Sequence, residues 1–412
     1  MKNILNSVFE TQHQAAPFEQ IQTTHFIPAL ELEISKTLQE IDHICSNPAT
    51  PTFENTLEAL EQSGEQLGII SGILFNLNSA ETSNELQEVT QKAAPLLTKF
   101  QNDVRLNKVL FDRIKNIFDK KETLALDPEQ LTLIEKEYKG FVRNGALLSA
   151  EDKDKLRLID TELAQLSLSF GEHVLADTQA FELHLTDKKQ LSGLPQTSIT
   201  QAEALAKEKN KDGWVFTLDY PSYVPFVTFA DDRALRKKMS LAFGKRGFQK
   251  NENNNESIIL KLVQLKKDRA NLLGYSSHAD FVLEERMAQS ASQVNQFLDD
   301  LYQNALPYAK KEWEQIERFA EDKLDLKDLQ KWDTSYVSEK LKQELFDFDE
   351  QILKPYFPLP NVLKGLFEIV ERLYGLRFEQ SDAIQGYHKD VICYEVFNET
   401  GGFHALLYAD FH

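Results

Sequence analysis

Cysteine is nearly absent. The 412 residues hold two, Cys45 and Cys393, far apart in the chain. Two such residues build no disulfide framework, and a reducing cytosol is the simple implication. Positive charge is short as well. Lys plus Arg number 46 against 65 Asp plus Glu, a formal net charge of −19. A surface of that sign repels phosphate backbones and argues against a nucleic-acid partner. No apolar run reaches the roughly 18 residues that would suggest a membrane span. The N-terminus lacks the long apolar core and small-residue cleavage site of a signal peptide. No fixed-period repeat is visible, so a solenoid is not supported.

What is present is an ordinary globular balance, 42% hydrophobic and 27% charged. The length suits roughly two domains at about 150 residues each. Helical spacing dominates. Ile27, Leu30, Ile34, Leu38, Ile41 and Ile44 step by three or four and form one stripe, stopped by Asn47-Pro48. Phe53, Leu57, Leu60, Leu67, Ile70, Leu74 and Leu77 trace a second, longer stripe. Asp127-Pro128, Ser149-x-x-Asp152 and Ser277-x-x-Asp280 read as helix starts, and Asn144-Gly145 and Gly375 as helix ends. Thr200-x-x-Glu203 reads as the cap of a short Ala-rich helix. Val294, Leu298, Leu301, Ala305 and Tyr308 lie on a long helix running to about Ala320.

Strands are few. Phe181 to Leu185 and Val215 to Asp219 alternate, and Pro221 and Pro225 bracket a rigid turn. That turn is the best candidate for a boundary, giving a helical domain over 1–225 and a second domain over 226–412. Val391 to Phe397 and Phe403 to Phe411 flank Asn398-Glu399-Thr400-Gly401-Gly402 and predict a terminal β-hairpin. An isolated hairpin is marginal in water. Either distant strands complete it or the polypeptide stops inside a larger domain, and the second is the reading taken. The expected fold is therefore mainly α: a bundle-like lobe, a few short strands, and a terminal hairpin belonging to an incomplete sheet.

The search for chemistry turns up little from the residues alone. A two-histidine zinc helix needs ligands four residues apart with a Glu beside the first. The histidines stand at 13, 25, 43, 173, 184, 278, 388, 404 and 412, and no pair has that spacing. His404 and His412 share a strand face, but eight residues at ~3.3 Å each hold them too far apart for one metal. Gly244-Lys-Arg-Gly247 lacks the spacing of a phosphate loop and reads as a helix terminus. Cys393 lies five residues from His388, inside an apolar strand where an inert thiol is the simpler state. Glu284-Glu285-Arg286 and Asp231-Asp232-Arg233 read as solvated helix faces with local ion pairs.

The words of the sequence go further. Asn47-Pro-Ala-Thr-Pro51 leads to Phe53-Glu-Asn-Thr56 and Leu60-Glu-Gln-Ser-Gly64, and Asn144-Gly-Ala-Leu-Leu148 follows. Gly213-Trp214 leads to Tyr220-Pro-Ser-Tyr223, and Asn271-Leu-Leu-Gly-Tyr275 to Met287-Ala288. Then come Trp332-Asp333, Phe348-Asp349, Leu353-Lys-Pro-Tyr-Phe357, Leu373-Tyr-Gly375, Tyr387-His388 and Leu407-Tyr408. This ordered set resembles the peptidyl-dipeptidase, oligopeptidase A and thimet oligopeptidase family of zinc metallopeptidases.

The resemblance implies two mostly helical halves around a channel that admits short peptides. It implies a zinc-bound water as nucleophile and a Glu as general base, on a His-Glu-x-x-His helix that this sequence does not contain. No catalytic or metal residue is therefore carried onto the chain. What it implies here is the N-terminal portion of a cytosolic enzyme, inactive by itself, that releases C-terminal dipeptides from short peptides when whole. An oligopeptidase A-like endopeptidase is the alternative within the family, and a non-catalytic helical interaction module the alternative outside it. Gly401, Gly402 and His404 are the candidates for the substrate-channel rim, against an ordinary turn.

Overall fold

A computed structural model describes residues 3–347 and 350–411. Phe348, Asp349 and His412, named above, lie outside the described residues. The chain is mainly helical and forms two compact units. One comprises Met1–Leu168, Leu265–Ser276 and Leu359–His412, and the other Ser169–Gln264 and Ser277–Pro358. No described helix is long and apolar enough to cross a membrane.

In the first unit, α1 (Thr23–Ser46) carries the first stripe and ends at Asn47. The next segment is built around Arg113. Its guanidinium donates to the Asn47 carbonyl (2.9 Å) and to Asn55 Oδ1 (3.0 Å). Asn55 in turn receives the Thr52 amide at 2.9 Å and donates to the Thr50 carbonyl at 2.9 Å. The Asn-Pro-Ala-Thr-Pro word is thus a folded turn held by one buried arginine.

The second stripe does not form one helix. A π-helical turn, Phe53–Glu58, runs into α2 (Ala59–Glu61), and the chain then breaks at Gly64. Gly64 has φ +75°, and a Cβ there would lie 2.9 Å from Thr37 Cγ2. Beyond the break α3 (Glu65–Ala80) buries Leu67, Ile70 and Leu74 in a second cluster, apart from the one that holds Phe53 and Leu57. Next come α4 (Asn84–Arg105), α5 (Lys108–Phe118), α6 (Pro128–Arg143) and α7 (Ala150–Ala180). Asp127 and Ser149 cap as expected, receiving the Gln130 amide at 2.8 Å and the Asp152 amide at 3.2 Å.

In the second unit, β1 (Leu183–Leu185) pairs antiparallel with β2 (Trp214–Phe216). Between them, α8 (Gln196–Glu208) starts earlier than Thr200 suggests. Thr200 is interior, and its hydroxyl donates to the Gln196 carbonyl at 2.9 Å, the back-bond open to a helical Thr. The proline-bracketed segment is a helix, α9 (Tyr220–Phe229), not a turn. Pro221 sits in the first turn, where no N–H is needed. Leu183, Leu185, Phe216, Phe226 and Met239 form the core beneath.

The chain continues through α10 (Arg233–Gly244), α11 (Glu256–Leu272), α12 (His278–Leu283), α13 (Ala291–Leu324) and α14 (Lys331–Phe346). Gly244-Lys-Arg-Gly247 is the end of α10, as expected. Asp231-Asp232-Arg233 departs from the solvated face expected of it. Asp232 caps α10, Asp231 accepts the Tyr336 hydroxyl at 2.9 Å, and Arg233 pairs with Asp333 at 2.7 Å. The pairs are long-range because α9, α10 and α14 pack on one another.

The chain then returns to the first unit. There, α15 (Leu359–Tyr374) ends at Gly375, whose amide donates to the Glu371 carbonyl at 2.8 Å. The expected hairpin is present as β4 (Ile392–Phe397) and β5 (Phe403–Ala409). It is extended by β3 (Arg377–Gln380), just upstream, into an antiparallel sheet of order β3-β4-β5. Among the described residues, β5 has one strand neighbour.

Candidate functional site

The terminal sheet is packed on both faces. On one, Phe367 of α15 stacks on Phe378 at 4.3 Å and meets Tyr394 edge-on at 4.9 Å. A groove of about 610 Å³ opens beside these rings, walled by Leu363, Ile392 and Tyr394. On the other face the N-terminal segment crosses the strands. Ala15 packs with Ile384, Cys393, Leu406 and Tyr408. Phe18 sets its edge against Tyr387 and Tyr408, at 5.7 and 5.9 Å.

The hairpin tip is made by Asn398. Its Oδ1 accepts the Thr400 amide (3.1 Å), the Thr400 hydroxyl (2.8 Å) and the Gly402 amide (2.9 Å). Gly401 turns the chain with φ +82°, a conformation that favours glycine. Beyond the tip, Val396 pairs with Ala405 and Phe397 with Phe403, so His404 is an extra residue in β5. This is a β-bulge, a device that re-aims a side chain and bends a strand. Gly401, Gly402 and His404 therefore share one built tip. The bulge at His404 was not legible, because register depends on the partner strand.

Other groups resolve quietly. Burial pushes the Cys393 thiol up, which disfavours the nucleophilic thiolate. His388 Nδ1 accepts the Asp390 amide at 3.3 Å. Tyr387 donates to Asp410 at 2.7 Å; burial and then Asp410 push its phenol up to about 12. A helix-lined cavity of about 840 Å³ also lies in the first unit. Its charges include Arg105, paired with Glu137 at 2.7 Å, and Arg269, paired with Asp160 at 2.7 Å.

One hub escaped sequence reasoning entirely. Asp177 is 3% exposed and gathers the loop after α10. It accepts the Gly247 amide (2.8 Å) and the side chains of Gln249 (3.1 Å), Asn251 (3.0 Å) and Asn253 (2.9 Å). Burial raises its pKa, but these four donors outweigh it and hold the carboxyl below its ordinary value.

Two family profiles match in order. "Neurolysin/Thimet oligopeptidase, N-terminal domain" matches residues 7–153, and "Peptidase family M3" matches 226–412. The chain belongs to peptidase family M3. Among its relatives, the dipeptidyl carboxypeptidase of Escherichia coli (strain K12) is 34% identical over 96% of this chain and 59% of that protein. Oligopeptidase A of Salmonella typhimurium is 30% identical over 98% of this chain and 60% of that protein. Saccharolysin of Saccharomyces cerevisiae is 26% identical over 89% and 53%. The chain thus spans about 60% of the length of the bacterial M3 relatives. Zinc, which the M3 family implies, does not fit the residues described. No group of three or more His, Cys, Asp or Glu side chains that could hold a metal ion occurs among them.

Proposed function

We propose that this chain is the N-terminal portion of a zinc-dependent M3 oligopeptidase, which releases C-terminal dipeptides from short peptides. The observation that carries it is the match, at 34% identity over 96% of this chain and 59% of the relative, to a dipeptidyl carboxypeptidase. The 30% match to oligopeptidase A keeps an endopeptidase as the second reading. By family match rather than by packing, residues 1–225 are assigned to a helical domain and 226–412 to the first part of the peptidase domain, a division supported by the profile beginning at 226; the packed units divide the chain differently. The two unbonded cysteines support a reducing, cytosolic setting.

Gly401, Gly402 and His404 belong to the substrate-channel rim. The support is the side of β5 that has no strand neighbour among the described residues, whose backbone groups can accept an extended peptide as an added strand. The zinc ligands and the general base lie outside these 412 residues, so the 1–412 polypeptide alone does not turn over peptide.

The test compares 1–412 with the longest polypeptide its gene encodes, each freed of metal and reloaded with zinc. Blocked peptides of three to eight residues are supplied and the products weighed by mass spectrometry. Dipeptides from the C-terminus, from the longer chain only, are the expected result. Internal cuts would select the endopeptidase. Turnover by 1–412 would overturn the placement of the zinc site, and no turnover by either would favour a non-catalytic helical module.

A further inference from the structure

The N-terminal segment is bound to the hairpin tip by contacts that the packing described so far does not require. His13 lies flat on Phe403, ring centroids 3.5 Å apart and planes within 2°. Its Nε2–H donates to Glu395 Oε1 at 2.6 Å, and Gln12 donates to the same oxygen at 2.7 Å. Glu395 and Phe403 flank the bulge at His404, one on β4 and one on β5. His13 and Gln14 take φ of +55° and +57°, the left-handed region that such residues seldom occupy without a constraint. Thr11 closes the turn, receiving the Gln14 amide at 3.0 Å. Farther along, Glu19 accepts Gln385 at 3.0 Å. Residues 11–20 are therefore a strap, tied at both ends and packed at Ala15 and Phe18 between.

We propose that His13 is a positioning residue: by its bond to Glu395 and its stack on Phe403 it latches this strap to the sheet and fixes the tip that carries Gly401, Gly402 and His404. The importance of that tip for substrate rests on the channel-rim reading given above; the latch itself does not.

The bond to His13, then that to Ser381, holds the Glu395 carboxyl below its ordinary value, so the acceptor of the latch is an anion.

The test is amide hydrogen exchange by mass spectrometry on the 412-residue chain. H13A loses both the bond and the stack, and protection of residues 11–20 and 398–406 should fall by about fivefold, the size of one lost hydrogen bond. H13F keeps the stack and should recover part of that protection. Unchanged protection of α5 and α6, in the same unit, shows that each variant has folded. H13A matching wild type overturns the latch. The rim reading fails separately: a saturating short peptide that leaves β5 exchange unchanged sinks that reading alone.

Discussion

At the residue scale the second unit turns on Asp333. It is 0% exposed, as is Arg236, and the two bond at 3.0 Å. Arg233 and the Gln330 amide complete its shell, at 2.7 and 3.0 Å. Arg236 also lies 3.9 Å from the Tyr336 ring. Burial works against the Asp333 charge, but Arg233, the Gln330 amide and Arg236 outweigh it and lower its pKa. A carboxyl lowered on folding contributes stability above its ordinary value and loses it as pH falls through the lowered one. This contribution is thus complete at neutral pH and drains below about pH 4. Asp333→Asn leaves Arg236 buried without its counter-charge and should cost about 3–5 kcal/mol. Urea unfolding at pH 7 measures it, and the deficit should shrink in acid. The sequence hid this cluster, because Arg236 and Asp333 lie 97 residues apart. Asp177 was hidden in the same way, its amide donors standing 70 to 76 residues away.

At the element scale local chemistry was legible. Asp127, Ser149 and Ser277 each bond an amide three residues on, so each cap is written within four letters. The hairpin was legible for the same reason, from its Asn398 to Gly402 turn. The break at Gly64 was not, because the apolar spacing runs across it and the constraint comes from Thr37 of α1. Nor was β3, whose four residues declare themselves only by pairing with β4. Gly64→Ala must hold a side chain at φ +75°, which costs about 1–2 kcal/mol. A lowered urea midpoint followed by circular dichroism should report it, and a neutral substitution would mean that the break yields without strain.

At the scale of the whole molecule, α13 exposes apolar side chains along its N-terminal stretch. Phe297 is 67% exposed, Leu301 55% and Tyr308 69%. The long helix was legible, but its exposure was not, since an apolar stripe says that something covers it and not what does. An apolar patch of this kind drives association. The 412-residue chain should sediment faster as concentration rises, and Phe297→Lys with Leu301→Lys should reverse the trend. A concentration-independent sedimentation coefficient would count against it.

The strap across the sheet also sets a timetable. His13 and Glu395 are 382 residues apart, and a ribosome adds about 5–20 residues per second. The strap therefore emerges roughly 20–75 s before the strand it binds has been made. For that interval Phe18 and its neighbours have no sheet to cover, and closing the first unit waits on β4 and β5.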